Sequence, residues 1–273
     1  MQITLAYGRF FCYDENKETA EKEKSMNQYL QNLKKIEFVI TYACTGKCKH
    51  CSEGDHRACG ERIDPEKAAE AVRKIASAYP IRTVMTFGGE PLLYPESVYA
   101  VQTAARDMGV EKRQVITNGW FSKDPARIAA VAEGLAACGV NDVLLSADAF
   151  HQETIPIEPV KLFASELKKR GVPIRMQPAW LVSPEDENPY NLQTKRILFE
   201  FRAMGIEENE GNVIFPEGNA KKYLSEYFTE EVINPYVEDP TDVRCVSFDP
   251  NGDALGGNLY ERDIMEILRD YQP

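Results

Sequence analysis

Four glycines, Gly109, Gly139, Gly171 and Gly205, each close an apolar-periodic segment, and they follow one another at intervals of 30, 32 and 34 residues. Glycine just past a helix end takes the left-handed backbone conformation that other residues resist. Three of the four directly precede a short run of strand character, and the interval is the length of one βα unit. Punctuation of this kind confines the chain to alternating strands and helices.

The helical stretches carry one apolar stripe each: Val98, Val101, Ala105 and Met108, then Ile128, Val131, Ala132 and Leu135, then Val160, Phe163, Ala164 and Leu167. Four helix starts hold proline in the first turn, at Asp64-Pro65, Tyr94-Pro95, Asp124-Pro125 and Glu158-Pro159, where its missing N–H costs no hydrogen bond. Between the helices lie six strand candidates, 36–41, 82–87, 114–117, 142–146, 172–177 and 212–215, rich in apolar and β-branched residues. Strands and helices in alternation predict an α/β fold on a parallel sheet with right-handed crossovers, either open or curled into a full or partial barrel.

Outside that repeat, residues 1–35 read as an N-terminal appendage, with a strand-like start and a charged helical stretch from about Lys17 to Leu33. Residues 36–228 form the main unit and 229–273 a C-terminal tail. The tail reads as a hairpin beginning at Cys245, with Asp249-Pro250-Asn251-Gly252 as its turn, followed by a short helix over 263–269.

With 273 residues, the length fits one main domain with appendages, and 43% hydrophobic with 27% charged residues is ordinary globular composition. A net charge of −11 repels phosphate backbones and anionic lipid, so neither nucleic acid nor a membrane is expected as a partner. The first residues, Met1 to Tyr7, lack a basic stretch leading an apolar run, so a cytoplasmic location is expected.

In a parallel α/β fold the loops after the strands converge on one face, which is where ligands bind. The unusual residues of this chain concentrate there. Cys44, Cys48 and Cys51 follow the first strand, Gly88-Gly89-Glu90-Pro91 the second and Asn118-Gly119 the third; Ser146 and Asp148 close the fourth. Arg175 and Gln177 alternate with Ile174 and Met176 on the fifth strand, so both can point into a lumen, and the sixth leads into Glu217. His151, just beyond the fourth strand, can serve as acid or base, or can cap its loop. Core packing does not require such a concentration, which marks a candidate active site. A cationic Arg175 in a sheltered lumen calls for an anionic group on the substrate.

Seven cysteines is an odd count, and three of them fall within eight residues, a metal-binding pattern and not a disulfide framework. Thiolates suit zinc or an iron–sulfur cluster. Zinc needs a fourth ligand, for which His50, His56 and Cys59 are candidates, whereas a four-iron cluster on three cysteines keeps one iron open.

The Cys-x3-Cys-x2-Cys loop after the first strand, followed by Gly88-Gly89-Glu90-Pro91 after the second, resembles the radical S-adenosylmethionine (SAM) superfamily over roughly residues 36–220. The resemblance implies a partial (β/α)6 barrel of TIM type. Cys44, Cys48 and Cys51 would hold a [4Fe-4S] cluster whose open iron binds SAM. Gly88, Gly89 and Glu90 would meet the methionine amino group, His50 would take the place of the aromatic that packs on adenine, and Asn118, Ser146 and Asp148 would lie near the ribose and the methionine carboxylate. His151, Arg175, Gln177 and Glu217 are left to face the substrate. The implied chemistry is reductive cleavage of SAM to a 5'-deoxyadenosyl radical that takes hydrogen from a peptide or small metabolite, with a flavodoxin- or ferredoxin-like electron donor.

The run Pro216-Glu217-Gly218-Asn219-Ala220 and the later Cys245 resemble the start of the cysteine-rich SPASM or twitch extension of peptide-modifying members, but no later cysteine follows. Auxiliary clusters are therefore not expected. Two alternatives stand beside the catalytic reading: an activase that installs a glycyl radical on a partner enzyme, and a zinc-stabilised binding protein without catalysis.

Overall fold

The computed structural model describes residues 27–54, 60–228 and 234–273. Expectations that fall on residues 1–26 and 55–59, among them Cys12, His56, Cys59 and most of the N-terminal helical stretch, lie outside the described residues. What is described of that stretch is a single 3-10 turn, Gln28–Leu30, capped by the Asn27 side chain.

Seven parallel strands form the central sheet. They are β1 (Lys35–Val39), β2 (Thr83–Phe87), β3 (Lys112–Thr117), β4 (Asp142–Leu145), β5 (Ile174–Met176), β7 (Glu207–Glu208) and β9 (Cys245–Phe248), in the spatial order β7-β5-β4-β3-β2-β1-β9. The helices between them are α1 (Pro65–Ala78), α2 (Pro95–Asp107), α3 (Pro125–Ala137), α5 (Ile157–Lys169) and α6 (Pro189–Ala203), with a single turn, α4 (Ala149–Gln152), after β4. A parallel sheet with helices packed along it is the α/β architecture that the alternation predicts, and it agrees with the partial barrel that the resemblance implies.

Local chemistry sets the helix ends. Asp64, Asp124 and Asn188 each accept a backbone N–H of the first turn that follows, with proline next in sequence. The four closing glycines all have positive φ, between 68° and 85°. One start differs: α5 begins at Ile157, so Pro159 sits inside its first turn.

On β1 every second residue is buried, Ile36 and Phe38 packing outward while Lys35 and Glu37 face the lumen. The lumen side of β1 is accordingly polar, whereas Met85, Phe87, Ile116 and Leu144 of the next three strands bring apolar surface to the same space.

Two sequence expectations are corrected here. Residues 212–215 do not supply the sixth barrel strand; β8 (Asn212–Val213) pairs with β6 (Ala179–Trp180) in a separate two-stranded sheet, and Glu207–Glu208 takes the place beside β5. The reason is register: once Arg175 pairs with Glu207, the chain has left the main sheet before it reaches Asn212. The strand at Cys245 is not an arm of the tail hairpin. It runs parallel to β1, with Lys35 opposite Cys245, and Phe248 stacks on Phe38 at 4.7 Å between ring centroids. The hairpin follows as β10 (Asp253–Ala254) and β11 (Gly257–Asn258), ahead of the tail helix Ile264–Asp270. No helix among the described residues is long and apolar enough to cross a membrane.

Candidate active site

The strand ends and the loops beyond them enclose a cavity of about 940 Å³. Cys44, Cys48, Cys51, Gly88, Gly89, His50, Asn118, Ser146, Asp148, His151, Arg175, Gln177 and Glu217 all line it, so residues spread over 170 positions of sequence meet at one place. Of the residues singled out by sequence, Glu90 does not line the cavity.

The cysteine loop is held from two directions. On one side Gly89 N–H donates to Thr41 O and Glu90 N–H to Ala43 O, both at 2.8 Å. A Cβ on Gly89 would lie 2.2 Å from Ala43 O, and one on Gly88, at φ 149°, would lie 2.5 Å from Thr41 O. The glycine pair is therefore required by the approach of the neighbouring loop, whatever it does for a ligand. From the other side, Asn219 N–H donates to Cys51 O at 2.8 Å and its side-chain Nδ2 to Cys48 O at 3.1 Å. A Cβ on Gly218 would come within 2.2 Å of Ser52 O. Sequence reading assigned the 216–220 run to a tail motif and missed this clamp. Its only local signal was a Gly-Asn pair before a short helix.

Burial raises all three cluster-loop thiols. Cys44 is pushed up to about 12, chiefly by burial and then by the charge of Glu90; Cys48 and Cys51 are raised for the same first reason, with Asp148 next for Cys48. Buried sulfurs beside carboxylates hold their protons unless a cation takes up the charge, and a positively charged iron centre is such a cation. Two donors already address Cys44 Sγ, Gly46 N–H at 3.4 Å and Asn118 Nδ2 at 3.5 Å. The donor set fits an iron–sulfur cluster.

Glu90 sits behind this wall, fully buried. Its carboxylate accepts from Leu92 N–H at 2.9 Å, Thr117 Oγ1–H at 2.7 Å and Asn118 N–H at 2.8 Å. It thus ties the loop after β2 to the loop after β3, and its position is that of a clamp on Asn118. Burial nevertheless raises its pKa to about 7, the hydrogen bonds offsetting only part of the desolvation.

Asp148 is likewise saturated. It caps α4 through Phe150 and His151 N–H at 2.9 and 3.0 Å, accepts Ala179 N–H at 3.0 Å, and meets His151 Nδ1 at 2.9 Å. Burial works to raise its pKa, but the His151 ring and the amides hold it far below the usual carboxylate range. His50 packs on Phe150 and edge-on against His151, with centroids 5.1 and 4.7 Å apart.

At the opposite end, the expected free cation is not free. Arg175 Nη2 donates to both carboxylate oxygens of Asp142, at 2.8 and 2.9 Å. Lys112 at 3.1 Å and Gln114 Nε2 at 2.6 Å reach the same carboxylate, and Lys35 pairs with Glu37 nearby. Sequence could not show this because Asp142 stands 33 residues away, on the adjoining strand. The floor of the cavity is thus an ion-pair network with its charges largely matched. On the side wall, Gln177 Oε1 accepts from Asn209 Nδ2 at 2.7 Å, and Glu217 Oε1 from Asn234 Nδ2 at 3.0 Å.

The family model described as the radical SAM superfamily matches residues 38–175. That family uses a [4Fe-4S] cluster and SAM. Among curated relatives, the GTP 3',8-cyclase of Aeromonas hydrophila subsp. hydrophila is 32% identical over 125 residues, 44% of this chain and 36% of that protein. That of Chlorobaculum tepidum is 23% identical over 138 residues, 50% of this chain and 40% of that protein. The matched region is thus less than half the length of either relative. Among solved structures, Streptococcus suis SuiB bound to S-adenosylmethionine has a TM-score of 0.58 at 15% identity, covering 93% of this chain and 69% of that one. The same protein bound to its precursor peptide SuiA gives 0.57 at 14%, covering 99% and 73%. AdoMet-bound anSMEcpe gives 0.55 at 13%, covering 88% and 80%. These likenesses concern the fold.

Proposed function

Since this chain belongs to the radical SAM superfamily, we propose that it is an enzyme taking a hydrogen atom from a polar substrate, a peptide or a small metabolite, held between the cysteine loop and the charged floor. The supporting observation is one continuous cavity of about 940 Å³, with thiols at one end and the polar and charged side chains of Lys35, Glu37, Lys112, Gln114 and Arg175 at the other. Ligand pockets commonly run from about 300 to 1,000 Å³, so this volume has room for SAM and a second molecule.

Cys44, Cys48 and Cys51 would hold the cluster, which when bound and reduced supplies the electron that cleaves SAM to methionine and a 5'-deoxyadenosyl radical. The remaining tasks belong to the chain. The Gly88 and Gly89 main chain, Asn118 and Ser146 line the wall nearest the thiols and would meet the amino-acid and ribose ends of SAM. His50 offers a planar face for the adenine. Glu90 would act through Asn118, whose loop it fixes, and Asp148 through His151. Gln177 has its oxygen occupied by Asn209, which directs its Nε2 to donation toward substrate. Glu217, on the same wall, would accept from the substrate.

A peptide is supported by the complex of SuiB, which shares the fold, with its precursor peptide. A flavodoxin- or ferredoxin-like protein would supply the electron. The test uses small-molecule and peptide fractions of a bacterial lysate grown in deuterium oxide, offered to the reconstituted protein with SAM and reductant. Deuterium should appear in the 5'-deoxyadenosine formed with the active fraction. If 5'-deoxyadenosine forms from every fraction without deuterium, substrate hydrogen abstraction is wrong.

A further inference from the structure

One thiol of the cluster loop has imidazole neighbours that the cluster does not require. Ligand atoms of Cys48, His50 and His151 all lie within 4.8 Å of one another. Two independent features point them at a metal ion. His50 Nδ1 is buried with no hydrogen-bond partner among the described residues, a costly state for a polar atom unless something binds it. His151 is oriented from behind. Asp148 Oδ2 lies 2.9 Å from His151 Nδ1, so the carboxylate occupies that nitrogen and Nε2 is the one left for a ligand. A carboxylate behind an imidazole in this way is the usual support of a metal-bound histidine.

We propose that Cys48, His50 and His151 form a second metal site, for a single divalent ion of the zinc class, which the chain can fill when it carries no cluster. Bonds of about 2.3 Å to sulfur and about 2.1 Å to nitrogen put tetrahedral ligand atoms about 3.6 Å apart. Binding an ion would draw donors that already lie within 4.8 Å of one another to that spacing. One thiolate and two imidazoles leave a fourth position open for water, and Cys48 gives up its proton to solvent on binding. Cys48 serves both centres, so the ion and the cluster exclude each other, and this exclusion rests on the reading of Cys48 as a cluster ligand. A chain that takes up the ion first is held inactive until the ion is removed.

Cobalt(II) is the probe, titrated into the full-length chain after iron and sulfide have been removed. The expected result is one ion per chain, with a thiolate-to-cobalt absorption of single-thiolate intensity that disappears in Cys48→Ala. His50→Phe, which keeps the packing on Phe150, and His151→Asn should each weaken binding at least tenfold. Circular dichroism of both variants should match the parent, and their iron and sulfide loading should be retained. Cobalt binding that ignores both histidines but needs Cys44 and Cys51 would overturn the site, because the three thiolates would then be the chelate. The same cobalt spectrum in fully cluster-loaded protein would overturn the exclusion. Iron and sulfide analysis of the untreated protein decides the cluster reading independently of cobalt.

Discussion

Arg175 and Asp142 form a two-point ion pair across adjoining strands of the cavity floor, Nη2 lying 2.8 and 2.9 Å from the two carboxylate oxygens. Asp142 is the hub, since Lys112 and Gln114 also donate to it. Burial opposes its ionisation, but the Arg175, Lys112 and Gln114 donors outweigh it and hold its pKa below the ordinary value.

The two ends of this pair should therefore cost unequal amounts. Arg175→Ala leaves Asp142 two partners and should lose about 1 kcal/mol. Asp142→Ala strands three donors and should lose about 2 to 3 kcal/mol. Urea unfolding of both variants measures this, and equal losses would contradict a hub at Asp142. The pair's contribution is present above the ordinary aspartate range of about 4 and is lost as pH falls below it.

Gly89→Ala places a Cβ 2.2 Å from Ala43 O, against main chain that cannot rotate away. The variant should lose about 2 to 4 kcal/mol and most of its iron. Gly109→Ala is the control. Its Cβ meets nothing within 4 Å among the described residues and carries only the cost of φ 71°, about 1 kcal/mol, with iron unchanged. Equal iron in the two variants would remove the glycine pair from the support of the cysteine loop.

Glu90 gives a pH signature. Its pKa is raised from 4.5 to about 7, so between those values the folded chain keeps a proton that the unfolded chain has released. Stability of the cluster-free chain should fall as pH rises through that window and level off above it. Glu90→Gln should flatten the slope, and an unchanged slope would assign it to another group.

Asn219 holds two carbonyls of the cysteine loop. Asn219→Ala should lower iron retention severalfold during gel filtration while leaving the circular dichroism of the barrel intact. Full retention would mean that the loop needs no support from the last unit.

Much of this was legible in the residues. Strands β1 to β5 came from alternating apolar and β-branched runs, and the four positive-φ glycines from their place after helical stripes. The cysteine loop announced its own chemistry. What escaped was information carried by partners distant in sequence. Glu207–Glu208 is an exposed acidic pair without a strand signature, placed in the sheet by its register with Arg175. Cys245–Phe248 joins β1 because Phe248 stacks on Phe38, 210 positions earlier. Arg175 reads as a cation in need of a substrate counter-charge and Asn219 as part of a tail motif because Asp142, Cys48 and Cys51 lie on other units, and the same separation hides the contact of Glu90, read as a SAM-facing carboxylate, with Asn118.

The most direct measurement is reductive cleavage of SAM by the anaerobically reconstituted protein. A chain loaded with about four irons and four sulfides should release methionine and 5'-deoxyadenosine in equal amounts, only with reductant present. Cys44→Ala, Cys48→Ala and Cys51→Ala should each abolish it. A fully loaded, SAM-bound and reduced protein that yields no 5'-deoxyadenosine, with or without the deuterated lysate fractions, would contradict a radical SAM active site in this cavity.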